Sequence, residues 1–158
     1  MQTATQTHVH PPVQQAKKNT TQTISLIVGF LLFVLGLAGL LYPAFMGLHL
    51  SVVHSLIITA AGITLFYNGY RSYSRGAYYA CLGFGIFFAL HAIAGFVFGV
   101  PGQPTVGFEK FDNHVLTVIP NYSVLGTTDH ILHAVLGAFL LLGAYDWNQH
   151  RRNKKTIF

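Results

Sequence analysis

Charge is what this chain has least of. Only 8% of its 158 residues are Asp, Glu, Lys or Arg, against roughly a quarter in an ordinary soluble domain, and just four are acidic. So little charge does not solvate the surface of a globule that is 52% apolar, and the positive mean hydropathy agrees with a membrane composition. Cysteine is nearly missing too. Cys81 stands alone in an apolar run, which excludes both a disulfide framework and a thiolate metal cluster. There is no Gly-rich phosphate loop, nucleophile elbow, pair of carboxylates, C-x-x-C-H or H-E-x-x-H. The sequence therefore carries no enzyme signature.

What is present is long and apolar. Apolar stretches run over about 24–43, 50–70, 77–100 and 130–147, with no charge before Asp146 near the end of the last, each long enough to cross a hydrocarbon core ~30 Å thick as a helix. Short connections join the first run to the second and the second to the third, so these neighbours are antiparallel. The third connection, 101–128, is longer and polar, with "HVLTVI" reading as a short interfacial segment among turns. The expected fold is all-α: a four-helix transmembrane bundle over 23–148 built from two helical hairpins. Residues 1–22 read as a polar disordered tail, in which His8 and His10 form a weak, unspecific metal pattern. Residues 149–158 read as a basic tail.

The net charge of +5 would suggest nucleic acid in a soluble protein. Here the basic residues flank the hydrophobic runs. Lys17 and Lys18 precede the first, Arg71 and Arg75 separate the second and third, and Arg151, Arg152, Lys154 and Lys155 follow the fourth. With four spans all eight fall on one side, which the positive-inside rule makes cytoplasmic. Both termini are then expected inside, and Glu109, Lys110, Asp112 and His114 outside. The expected surroundings are a lipid bilayer and other membrane subunits or further copies of the chain, without nucleic acid.

The two halves also repeat. "GFLLFVLGLAGLLY" aligns with "GIFFALHAIAGFVF", and "LSVVHSLIITAAG" aligns with "DHILHAVLGAFLL" through His54 and His133. Two hairpins of the same membrane orientation imply a pseudo-twofold axis along the membrane normal. Four features carry a wider likeness over about 24–147: "SVVH" ending at His54, "LGFGIFFAL" followed by "AGF", "VIPN", and Asp129-x-x-Leu132-His133. On these the chain resembles a family of small four-span bacterial membrane proteins catalogued as a domain of unknown function. The resemblance implies a four-helix protein of the bacterial plasma membrane and no activity. His91 and His130 depart from the family pattern.

An ionisable side chain inside a span is costly and usually faces the bundle interior. At ~1.5 Å per residue, His54 and His133 each lie ~6 Å below the outer surface and His91 ~14 Å below it. Asp129, His130 and His133 share one helix edge through i, i+3 and i+4 spacing. His130 is expected at the rim, and His49, five residues from His54, is expected to diverge from it. Asp129 reads first as a helix cap or first-turn acid. His54 and His133 read first as interhelical locks, in a small non-enzymatic membrane protein serving as a structural or accessory subunit and needing no cofactor. The alternative is an outer-leaflet metal- or haem-binding protein. In it His54, His133, His91 and His130 supply ligands, and Asp129 orients one of them.

Overall fold

The computed structural model describes residues 19–71, 74–103, 111–120 and 122–155. His8, His10, Lys17 and Lys18 lie outside them. Four helices, each long and apolar enough to span a membrane, form the all-α bundle expected from the sequence. They are α1 (Thr20–Leu41), α2 (Val52–Tyr70), α3 (Ser74–Phe98) and α4 (Thr127–Lys155).

Helix α1 begins inside the segment expected to be a tail. The cause is a capping box: Asn19 Oδ1 accepts from the Gln22 N–H, and Gln22 Oε1 accepts from the Asn19 N–H. These reciprocal bonds satisfy two free donors at the helix start. Gln22 then spends its amide N–H on the Arg71 carbonyl at 2.7 Å, tying the start of α1 to the end of α2. At the other terminus, α4 runs on to Lys155 through most of the expected basic tail. No Gly or Pro after Gly143 interrupts it.

Within each hairpin the helices touch backbone to backbone. A Cβ on Gly29 would strike the Phe66 backbone, one on Gly62 the Phe33 backbone, and one on Gly69 that of Leu26. In the second hairpin a Cβ on Gly137 would meet the Ala89 backbone. Lipid tails are as apolar as leucine, so helix association in a bilayer depends on such close packing and on interhelical hydrogen bonds. Ser25 Oγ supplies one to the Leu65 carbonyl at 2.8 Å. Between hairpins, Thr21 Oγ1 donates to the Gly143 carbonyl at 2.7 Å, and the buried Cys81 thiol lies against the Thr21 carbonyl. Tyr78 stacks on Trp147 with centroids 4.4 Å apart at this same end.

The opposite end carries the histidines. There α1 and α2 are joined by a turn through Phe45–Gly47 in which Met46 (φ 55°) and Gly47 (φ 78°) are left-handed. The Leu50 N–H then closes on the Pro43 carbonyl at 2.8 Å. The connection from α3 to α4 corrects the expectation of turns and a short interfacial segment. It holds an antiparallel three-stranded sheet of β1 (Val100–Gly102), β2 (Asp112–Ile119) and β3 (Ser123–Leu125), in the order β1-β2-β3. The pairing Leu116 with Leu125 sets the β2–β3 register. "HVLTVI" is rich in β-branched residues, Val115, Thr117, Val118 and Ile119, which suit a pleated surface better than a helix.

Candidate functional site: a histidine and aspartate network

The site starts from the first turn of α4. Asp129 is its third residue, and Oδ2 reaches back to the Gly126 N–H at 2.8 Å. This is the first-turn role expected of it. Asp129 is also buried, at 1% exposure, where a carboxylate is sustained only by hydrogen bonds and a partner. The partner is His49. Its Nδ1–H donates to Oδ2 at 2.8 Å, and its backbone N–H lies 3.2 Å from both carboxylate oxygens. Gly126 makes room for it, since a Cβ there would collide with the His49 ring.

His49 in turn places His54. Ser51 caps α2 by accepting from the His54 backbone N–H, and the His54 ring folds back so that Nδ1–H donates to the His49 carbonyl at 2.9 Å. A carbonyl only accepts, so the Nδ1 that faces it carries a proton. His49 and His54 were expected to diverge. The structure couples them, because the backbone between them is the bent cap of α2 and not a helix.

His133 from α4 enters between α2 and α3. Its ring lies 5.8 Å from that of His54 and 5.9 Å from that of His91, both edge to face, and stacks on Phe88 at 5.3 Å. His54 and His133 therefore do meet across the hairpins, as the repeat suggested. His91, expected well below them, reaches the same cluster through its contact with the His133 ring. The His91 Nδ1–H donates to the Phe87 carbonyl at 3.0 Å. His133 is 4% exposed and its Nδ1 has no hydrogen-bond partner among the described residues.

His130 corrects another expectation. It does not stand at the rim but is fully buried, with Nε2 2.9 Å from the His114 carbonyl on β2. Its ring is seated on Gly95, where any Cβ would overlap it. The Gly95-x-x-x-Gly99 spacing thus serves an imidazole and the sheet, with the Gly99 N–H bonded to the Gly95 carbonyl. His130 makes no contact with the His54, His91 and His133 cluster that any hydrogen bond or ring pair records among the described residues.

Sequence reasoning missed two residues, His49 and Asp112. Asp112 at the start of β2 accepts from the Thr127 hydroxyl at 2.6 Å, the Thr127 N–H at 2.8 Å and the His114 N–H at 2.8 Å. It thereby pins the sheet to the start of α4. Burial alone pushes its carboxyl up, but the Thr127 hydroxyl and the two N–H donors outweigh that and hold it below the ordinary carboxylate value. No local signal pairs Asp112 with Thr127, or His49 with Asp129 80 residues away.

Among the described residues, no three His, Cys, Asp or Glu side chains converge closely enough to form a metal-binding group, so a metal reading rests on pairs of rings. The fold and this network define a multi-pass membrane protein, a four-helix bundle with a buried histidine and aspartate network under a small sheet. The chain matches no protein-family model, no curated protein and no solved structure.

Proposed function

We propose that this is a non-enzymatic protein of the bacterial plasma membrane, with both termini cytoplasmic and the histidine end outside, serving as a structural or accessory subunit. The carrying observation is the Asp129–His49 pair. The bonds of Asp129 to His49, of Asp112 to Thr127 and of His130 to the His114 carbonyl each fasten one hairpin, or the sheet, to another part of the chain. A carboxylate spent on two backbone N–H groups and an imidazole is positioned for architecture. The orientation is supported by the basic residues flanking the spans.

Two measurements test it. A reporter fused to the C-terminus is expected in the cytoplasm, and finding it outside ends the topology. Purified protein is expected to contain no stoichiometric transition metal and to keep its fold when His133 is replaced by Phe.

One observation favours a second reading, a metal ion held by a pair of these rings, His133 with His54 or with His91. His54 and His91 each give Nδ1–H to a backbone carbonyl, which is how metal-ligating histidines are usually oriented. About one bound Zn or Cu per chain, lost in His133→Ala, would establish it in place of the first. A haem would have to displace Phe88 and His91 from the ring of His133, so the ion is the form of this reading carried forward. His130, engaged by His114, does not enter it.

A further inference from the structure

Helices α1 and α2 meet backbone to backbone at Gly29, Gly62 and Gly69, and the bulky residues beside that seam stand clear of it. Phe30, Phe33, Ile63, Phe66, Tyr67 and Tyr70 line an open groove of about 420 Å³, within the range of small-molecule sites. Phe30 of α1 and Phe66 of α2 face each other with ring centroids 6.5 Å apart. Every lining residue except Phe33 is exposed, so the groove opens sideways on the lipid-facing surface of the hairpin. The glycine contacts hold its two walls at a fixed spacing, and the hairpin forms it without help from the rest of the bundle.

The depth of the groove is that of one leaflet. Ile63 lies near the middle of α2 and Tyr70 ends it, a rise of ~10 Å at ~1.5 Å per residue, against ~15 Å for half of a ~30 Å hydrocarbon core. The groove therefore runs from near the bilayer midplane to the headgroup level. The headgroup end carries positive charge. Arg71 follows Tyr70 directly, and its guanidinium lies 4.7 Å from the centroid of the Tyr67 ring that lines the groove. Its main chain is held in place by the Gln22 amide, which donates to the Arg71 carbonyl. Arg75, in the first turn of α3 at the same end, is exposed. Asp112 and Asp129 belong to the opposite end, so Asp146 is the one acid of this end among the described residues.

We infer that the groove between α1 and α2 holds one acyl chain of an anionic phospholipid, with the chain along Phe30, Phe33, Ile63 and Phe66 and the phosphate head at Arg71. Apolar walls one leaflet deep fit a single lipid tail. A cation at the mouth, with little acid around it, favours a head of net negative charge over a zwitterionic one. The site goes beyond the accessory reading. It lies at the opposite end of the bundle from the histidines and shares no residue with the metal-ion reading, so the two stand or fall separately.

The test mixes full-length protein in detergent with equal amounts of dioleoyl-phosphatidylglycerol and dioleoyl-phosphatidylcholine and counts bound lipid by native mass spectrometry. Phosphatidylglycerol is expected to bind saturably at one per chain and in preference to phosphatidylcholine. Arg71→Gln, which leaves the main-chain bond to Gln22 in place, is expected to cut that preference roughly fivefold. Ile63→Trp, which fills the midplane end of the groove, is expected to weaken both lipids while circular dichroism and thermal unfolding stay as in the parent. Gly83→Phe, on a separate groove between α2 and α3, is expected to leave binding unchanged. Equal binding of the two lipids, or uptake that does not saturate, overturns the inference. So does a preference that survives Arg71→Gln, or an affinity unaltered in Ile63→Trp. Equal losses in Ile63→Trp and Gly83→Phe overturn it in favour of unspecific lipid coating.

Discussion

The carboxylate of Asp129, in the first turn of α4, accepts both the ring N–H and the backbone N–H of His49, which precedes α2. A single side chain thereby joins the two hairpins at the end where the sheet docks.

Removing the carboxylate leaves the buried ring N–H and backbone N–H of His49 without their acceptor, at a cost of about 1–3 kcal/mol. Asp129→Asn is expected to lower thermal stability by that order, with His49→Gln adding less to the double variant than it costs alone. A double-mutant cycle of unfolding in detergent measures it. Strict additivity would show that the pair does not couple the hairpins.

Asp112 gives the protein an acid-sensitive joint. Its carboxyl titrates below the ordinary value of 3.8 when folded, so the stabilisation is fully present above that value and drains away as pH falls through the lower, folded one. The groups near it are His49, His114 and the Thr127 donors. Unfolding followed from pH 6 down to pH 2 (roughly, to bracket an ordinary carboxylate) should show the parent losing stability relative to Asp112→Asn below about pH 4. Parallel curves would remove Asp112 from this role.

Glycines that look alike in the sequence are expected to behave oppositely. Gly62→Ala sets a methyl against the Phe33 backbone, an overpacking worth about 1–3 kcal/mol. Gly83→Ala enters open space and should be neutral or slightly stabilising, since Ala is about 1 kcal/mol better than Gly in a helix. Detergent unfolding of both separates them, and equal losses would contradict the hairpin packing.

Gly95→Ala should unseat His130, because no Cβ is compatible with the ring above it. The His130 to His114 bond would break and the sheet would loosen from the bundle. Hydrogen exchange at β2 is the readout, with faster exchange expected in the variant and none of this in Gly102→Ala, where a Cβ is in ordinary contact range.

Much of the fold was legible because hydropathy is a local property. Four apolar runs require four helices, and the short links among the first three require antiparallel neighbours. Even the early start of α1 was written in "NTTQ", whose cap and third-position amide are a helix-start pattern. The site was legible in part. The repeat aligned His54 with His133, and i, i+4 spacing put Asp129 and His133 on one edge. The strands and the His49 partnership were not legible, since connections between helices take their shape from what they dock against.

The sequence alone determined that this chain is a membrane protein of two apolar hairpins and that the histidines of its spans gather toward one end. Only the tertiary structure decided which of them meet. Helix periodicity tells which residues share an edge, but the rotation of each helix is set by glycine-backed contacts with its neighbour. The cap of α2, folded against α4, then turned His49 toward Asp129 and left His133 facing both His54 and His91.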